Sequence, residues 1–573
     1  TSMQWDGVPL NDLYLGSAFI NLPDINLATL DSIELIRGPG SALFGSDAFH
    51  GVLALKGFES ERDKKQLSAS YGSNDFYSVD TRMSAQATAN TRLHLAAATS
   101  GQGDQEQHFH YTDPFTQQLE MGERKNRYNA STATLKLSSN AENRWSYGGG
   151  VYLHDYEASD FSGLGTAVSG SDDLGSTNNR FGMAQFHLTH RFAKASTELQ
   201  TYYWQMNTDA TTHIITPDLR HLTRDAPRDQ NRQGVRLTYR YEDGLRYQGN
   251  GNPLGTRFAL AAGTDEIAIS SASIHTYNVQ TQVLDTQPNA ADGAERTISY
   301  LIFEAETRWN DDRWRIIYGG RYDAYSDVGD HTSPRFGLLY FPQVDTAIKL
   351  LYGNAFRAPS ALELHGSSVV RGNADLAPET LDSYELVIMQ QRPQWRWQGE
   401  IFHSLWQDAI VAAVAPDDAT GFQYANVDRS NATGITLDAE RSFASWLLGG
   451  TLSWVQSENQ TTHADYGMYP RYMMDLRMGY EFHRYAADVM LNQRYYSRVD
   501  DVLPVEAGIP AQRLPAYWRT DLTLTQHLQR DLDLTAAARN LFDRQNNLPS
   551  PLGSRGGIPD ERFNLTVGIR YSY

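Results

Sequence analysis

The sequence predicts an all-β chain: a 22-stranded antiparallel transmembrane β-barrel over residues 59–573, entered through a compact block at residues 1–58. Three observations predict it. Period-two alternation of apolar and polar residues recurs in about 22 segments from residue 66 onward, and an even count of that size is typical of the larger transmembrane barrels. The connections between those segments alternate between short and long. No stretch approaches the ~20 apolar residues of a spanning helix, and mean hydropathy is −0.52.

The last segment shows the alternation most clearly. Phe563, Leu565, Val567, Ile569, Tyr571 and Tyr573 alternate with Asn564, Thr566, Gly568, Arg570 and Ser572. A soluble barrel would turn the apolar face inward; a membrane barrel turns it to lipid and keeps a polar lumen. The number of segments favours the membrane, because in a bilayer only a closed sheet pairs every backbone group. Short connections are expected at 310–312, 342–345, 392–394 and 529–531. Long ones are expected at 101–127, 157–179, 208–232, 267–296, 357–380 and 543–561. Short turns on one side and long loops on the other match periplasmic turns and extracellular loops. The connection 242–255 is long where a short turn is due. A β-propeller would show a repeat of about 40–50 residues, and none is present.

Composition agrees. The chain holds 32 Tyr and 11 Trp, and aromatics make up 11% of it. Such residues suit the two interfacial girdles of an outer-membrane barrel. The net charge of −19 argues against a nucleic-acid partner. With no cysteine, thiolate catalysis and Cys-ligated zinc are excluded. No catalytic phrase (serine elbow, His-Glu-x-x-His, P-loop or Rossmann glycine motif) occurs in a fitting context, so no enzyme is expected and no catalytic or metal site is assigned.

The block before the barrel is dense in special backbone positions. Residues 31–56 run strand, tight turn, small-residue segment, turn, strand, with Arg37-Gly38-Pro39-Gly40, then Phe44-Gly45-Ser46-Asp47-Ala48, then Gly51-Val52. The full phrase resembles the end of the plug domain of TonB-dependent outer-membrane receptors. The portion from Phe44 to Ala48 is similar to the vitamin B12 and siderophore branches. The resemblance implies that residues 1–58 are the C-terminal part of a plug held in the barrel lumen. It places the earlier half of the plug and the TonB box upstream of this sequence. Residues 11–23, with Tyr14 and Phe19, stand where the family's plug apex faces its ligand.

Further boxes extend the likeness over nearly the whole chain. Phe356-Arg357-Ala358-Pro359 resembles the family's FRAP box. Gly372-Asn373-Ala374-Asp375-Leu376-Ala377-Pro378-Glu379 resembles its N-P-x-L-x-P-E box, with Ala374 where proline is usual. Both are expected chiefly to shape the barrel mouth. Arg539-Asn540-Leu541-Phe542-Asp543 resembles the N-L-F-D box, and the terminal Tyr573 resembles the assembly signal of outer-membrane barrels. The family locks plug arginines against barrel glutamates, which implies Arg37 against Glu385. A second glutamate is expected just after Gly434, where this chain has Thr436 and Asp438.

The resemblance implies an outer-membrane receptor of a Gram-negative bacterium, monomeric, embedded in lipid and lipopolysaccharide. It would take a scarce small-molecule nutrient and be powered through TonB. No resident cofactor is expected. Ferric siderophore is the first expectation for cargo, with haem and cobalamin as alternatives. Haem receptors carry an axial histidine between comparable boxes, where this chain has His365; a solvated loop histidine is the commoner case. His108, His110, His213 and His221 are further histidines without a third ligand. Tyr466-Gly467-Met468-Tyr469 and Tyr495-Tyr496 suit either a ligand vestibule or the upper girdle. A passive porin or surface-binding barrel is the reading from another class.

Overall fold

The structure is a computed structural model. It describes residues 1–573 except 20–21, 23–24, 113–118, 141–142, 160–174, 216–220, 244–254, 311, 368–369, 416–417, 461–462, 464, 466–468, 502–511 and 550–557. The closed sheet contains 25 strand segments among the described residues. Twenty-two are barrel staves; the short pieces His221–Asp225, Val283–Pro288 and Val370–Arg371 extend the ladder at one rim. The ring closes where Asn564–Ser572 pairs antiparallel with Lys64–Gly72, from Thr566↔Gly72 to Ser572↔Gln66.

Alternation decides which face meets which solvent. In the last strand Leu565, Val567, Ile569 and Tyr571 are 42–46% exposed on the outside. All round the ring the outward residues are large and apolar, such as Leu135, Leu153, Leu260, Leu301, Leu386, Leu437 and Leu476. The buried residues pointing into the lumen include Lys136, His154, Gln200, Arg232, Asp265 and Arg321. This is the inverse of a soluble barrel and the arrangement a bilayer requires.

The tight turns expected at 342–345, 392–394 and 529–531 are present between paired strands. Several expected loops are instead strand. Thr91–Thr112 and Leu119–Ser139 stay paired out to Thr112↔Leu119, so most of 101–127 is a tall hairpin. The spans 208–232 and 267–296 likewise carry Ala195–Ile215, Arg228–Glu242 and Gly255–Asn278. Above the bilayer no lipid selects apolar outward residues. The apolar mark fades there, although the backbone ladder continues: Arg180 and Asp155 face each other across two such extensions at 3.3 Å. The long connection expected at 242–255 falls mostly outside the described residues.

The N-terminal block sits in the lumen as a four-stranded sheet, ordered β2-β1-β4-β3. Its strands are β1 (Ser2–Trp5), β2 (Val8–Pro9), β3 (Leu30–Arg37) and β4 (Gly51–Gly57). β1 runs parallel to β4, and the other pairs are antiparallel. The one-turn helix α1 (Ser41–Phe44) joins β3 to β4. Gly38, Gly45 and Gly51 all take positive φ (+75°, +88° and +149°), which is the backbone demand behind the glycine-rich phrase. One core binds sheet to barrel: Trp5, Val8, Leu10 and Leu13 pack with Tyr152, Phe181, Trp204, Met206 and Ile269 of the wall.

Candidate functional site

The apex of the plug is the turn after β2. Asp12 builds it: its Oδ1 accepts from the backbone N–H of Leu15 (3.1 Å) and Ser17 (3.0 Å). Burial pushes the Asp12 carboxyl above its ordinary value, partly offset by Arg228 and these hydrogen bonds. The barrel side chain Gln230 reaches up to the same turn. Its Oε1 accepts from Leu13 N (3.2 Å) and Tyr14 N (3.3 Å), and its Nε2 donates to Asp12 Oδ2 (3.3 Å). The Tyr14 ring lies under the Arg228 guanidinium at 4.1 Å, and its hydroxyl accepts from Asn289 Nδ2 at 3.2 Å.

The long loop after strand Thr346–Arg357 comes down onto this apex. It opens with helix α2 (Ala361–His365), whose N-cap Ser360 and Glu363 form a reciprocal capping box. The first helical N–H groups are normally unpaired. Here Ala361 N donates to Leu13 O (2.9 Å) and Leu362 N to Tyr14 O (3.0 Å). Plug apex and loop are thus one hydrogen-bonded unit.

Both proline boxes hold the stems of that loop. Arg357 donates from Nε to Glu379 (2.6 Å) and from Nη1 and Nη2 to the two Glu363 oxygens (2.9 Å each). Glu379 also accepts from Ile410 N. Pro359 O accepts from Arg296 Nη2 (2.7 Å), which is paired with Asp327. Phe356 is fully buried against Tyr325 and His331. Asn373 donates to Tyr424 O and accepts from Asp375 N, and half-buried Pro378 leads into Glu379.

Of the expected ligand-facing residues, Tyr14 is half-buried at the apex, Phe19 is 42% exposed, and His365 is the exposed last residue of α2. No group of three potential metal ligands occurs among the described residues. The side chains of His108, His110, His213 and His221, and residues Tyr466 to Met468, lie outside the described residues.

The expected pairing of Arg37 with Glu385 is not the one observed. Arg37 Nη1 lies 3.9 Å from Glu400 Oε2. The positive φ of Gly38 turns the chain, so that the Gly38 backbone rather than the guanidinium lies against the Glu385 carboxylate. Glu400 stands directly across from Thr436 in the ladder. The carboxylate nearest Arg37 thus comes from the neighbouring strand, and not from the segment after Gly434. Asp438 is engaged elsewhere, with Thr451 and Arg477. In the same turn Pro39 packs on Gly353, Gly45 lies under the Arg321 guanidinium, and Gly51 backs closely onto Ile36 O.

A second anchor was not anticipated. Lys136, 5% exposed, pairs with Asp6 Oδ2 (2.9 Å) and Glu59 Oε1 (2.7 Å) and donates to Gly57 O (3.1 Å). Tyr152 donates to the same Asp6 carboxylate. Trp204 Nε1 donates to Pro9 O at 3.0 Å. Lys136 lies on the polar face of an alternating strand, a hint that it points inward, but nothing local names its partners.

At the C-terminal boxes, buried Asn540 takes a positive φ of 46° and donates to Arg544 O and Glu561 O. Arg562 holds the exposed Asp543 carboxyl down at about 2. Phe542 is exposed, and Tyr573 closes the barrel through paired backbone bonds with Lys65.

The comparison with known families decides what this arrangement is. The family described as TonB dependent receptor-like β-barrel matches residues 70–541, and the TonB-dependent receptor plug domain matches residues 1–52. The chain belongs to the TonB-dependent receptor family. Members of that family are transport receptors rather than enzymes, working with TonB on small-molecule ligands. The chain is 20% identical to a vitamin B12 transporter, BtuB, of Vibrio vulnificus, over 99% of this chain and 83% of that protein. It is 22% identical to the iron-regulated outer membrane virulence protein of Vibrio cholerae, over 91% and 77%. Among solved structures, the ferric enterobactin receptor PfeA of Pseudomonas aeruginosa superposes with a TM-score of 0.79 at 15% identity, over 100% of this chain and 90% of that one. The siderophore receptor PiuA of Acinetobacter baumannii gives 0.75 at 12%, over 100% and 89%. These structural likenesses carry the fold alone.

Proposed function

We propose that this TonB-dependent receptor works in the outer membrane as a monomer, binding a ferric siderophore at the cell surface and importing it with TonB-transduced energy. The observation that carries the reading is the bonded unit of plug apex and loop. A ligand resting on Tyr14, Phe19 and the 358–378 loop would act on the Leu13 and Tyr14 carbonyls directly. Displacing α2 would strip those carbonyls of their donors and bias the plug toward another arrangement. The iron-regulated outer membrane virulence protein among the relatives and the ferrienterobactin receptor of Escherichia coli, 22% identical over 40% of this chain, support this class of cargo. Cobalamin is the second reading, supported by the BtuB relatives. Within either reading, Arg37 with Glu385 and Glu400, and Lys136 with Asp6, serve as plug-to-barrel contacts.

The test is a titration of the purified receptor with ferric enterobactin, cobalamin and haemin, followed by tryptophan fluorescence, with His365→Ala in parallel. Submicromolar binding of the ferric siderophore by both proteins is the expected result. Tight cobalamin binding alone would replace the cargo. Haemin binding that disappears in His365→Ala would make His365 an iron ligand and overturn the siderophore reading.

A further inference from the structure

A second cation reaches the sealed side of the plug through side chains that belong to the barrel. Asp6 and Gly7 are the central residues of the tight turn between β1 and β2, at positive φ of 49° and 81°. The turn presents the Asp6 carboxylate to five consecutive staves: Leu119–Ser139, Trp145–Ser159, Gly175–Arg191, Ala195–Ile215 and Arg228–Glu242. Each contributes one side chain at this level: Lys136, Tyr152, Gln185, Gln200 and Arg236. The first four are buried, and Arg236 is half-buried.

Gly150 makes the row possible. It stands across from Lys136 on one side and from Gln185 on the other. A Cβ there would lie 2.8 Å from Lys136 Cγ and 3.1 Å from the Tyr152 oxygen. The Tyr152 hydroxyl lies against the backbone that Gly150 leaves bare, within reach of Asp6 and Gln185 together.

The direction of every hydrogen bond in the row follows from its far end. Arg236 only donates, so Gln200 turns Oε1 toward Arg236 Nη2 (2.5 Å). That leaves Gln200 Nε2 to donate to Gln185 Oε1 and to Asp6 O (3.3 Å each). Gln185 Nε2 then donates to the Tyr152 oxygen (2.8 Å), and the Tyr152 proton goes to Asp6 Oδ2. From Arg236 to Asp6 all donors point one way, and aligned bonds in a buried site polarise one another. Lys136 meets Asp6 from the other side, and Gly57 N fills Asp6 Oδ1 (3.1 Å).

We infer that Gln185 is a positioning residue of the plug: by relaying the donor direction from Arg236 to Tyr152, it fixes the Asp6 turn against the wall while the rest of the plug rearranges. Among the described residues the Gln185 side chain bonds to Gln200 and Tyr152 and to no plug residue, so it acts through them. With the relay cut, nothing orients the Tyr152 hydroxyl, and its proton is no longer committed to Asp6. The inference takes from the transport reading only that the plug moves, and it is independent of the cargo.

The experiment is hydrogen exchange on the full chain in detergent, without cargo, read on peptides covering residues 2–9. Gln185→Met keeps the length of the side chain and removes both bonds. Exchange at residues 2–9 should quicken at least tenfold, while residues 30–37 of β3 keep their rate. If that variant fails to fold, Gln185→Asn takes its place: it keeps the amide but is one methylene too short to span from Gln200 to Tyr152, and should quicken the same exchange at least threefold. Pairing variants reads the relay itself. Tyr152→Phe cuts the row at its last link, so adding the Gln185 substitution to it should change the rate less than twofold. Wild-type exchange in the Gln185 variant, which packing alone predicts, overturns the inference. Fully multiplied factors in the double variant overturn it too, because Gln185 would then act by another route. No cargo is present, so either failure is distinct from a failure of the receptor to bind or import its ligand.

Discussion

The plug meets two walls of the same barrel in unlike ways. Toward the strands from Leu119–Ser139 to Gly255–Asn278 it is sealed: Trp5, Val8 and Leu10 share a core with Tyr152, Trp204 and Ile269, and Lys136 is buried with Asp6. Toward Glu379–Arg392 and Trp395–Ala415 the contact at β3 is thin. Arg37 is 58% exposed and 3.9 Å from Glu400, and Ile33 and Leu35 of β3 are 45% and 63% exposed. The difference separates fixing the plug from steering it. A desolvated, fully bonded ion pair is a structural rivet, whereas a long, hydrated one is easily exchanged. Any rearrangement of the plug should therefore begin at β3 and leave the β1–β2 hairpin in place.

The sharpest way to break this comparison is at Lys136. Lys136→Met keeps the length of the stem but leaves the Asp6 carboxylate buried beside Tyr152 without its cation. Removing one member of a buried pair costs about 3–5 kcal/mol. Calorimetry should show a lowered plug transition, and hydrogen exchange should quicken at residues 2–9. Adding Asp6→Asn should recover much of the loss, because the orphaned charge goes with it. If Lys136→Met leaves exchange at residues 2–9 unchanged, the sealed wall is not held by this pair.

A smaller effect is expected at Gln230. Gln230→Ala leaves two apex N–H groups without their acceptor, at a cost of about 1–3 kcal/mol. Faster exchange confined to Leu13 and Tyr14 would match it, and no change there would remove Gln230 from the apex. Asp12 sharpens the same region through pH. Its folded value is raised by burial, so the folded state favours the protonated form. The stability this confers is complete below the unfolded value near 4 and is lost as pH rises through the raised one. Apex exchange should therefore quicken with rising pH beyond its intrinsic dependence. Asp12→Asn, which keeps the Oδ1 acceptor, should abolish that excess.

The two walls also differ in how far the sequence reveals them. The lipid-facing pattern is written locally: Leu565, Val567 and Ile569 alternate within one strand, and a bilayer imposes the same rule on every stave. Where strands rise above the bilayer, as at Asp155 and Arg180, that rule lapses, and tall hairpins resemble loops. The lumen side has no such rule. Lys136 and Gln230 look like any polar residue on an inward face, because their partners Asp6 and Asp12 lie far away along the chain and only the barrel's curvature unites them. The proline boxes were legible as motifs, yet the join from Ala361 and Leu362 to Leu13 and Tyr14 is made of backbone atoms and leaves no mark in side-chain identity. The glycine phrase was legible because positive φ at Gly38, Gly45 and Gly51 admits few substitutes. Even there, the choice between Glu385 and Glu400 turned on one neighbouring strand.

That choice supplies the mildest prediction and the one that tests the open wall most directly. Arg37→Ala removes the guanidinium from an exposed contact, so the loss of stability should stay within about 1 kcal/mol. Exchange at residues 2–9 should not change, since Lys136 holds that end independently. Exchange along β3, from Leu30 to Arg37, should rise. A combination of Arg37→Ala with Lys136→Met should then give additive effects, because the two sites share no partner. Clear non-additivity would mean that the plug responds as one rigid body, and that its thin contact and its sealed one are a single lock seen from two sides.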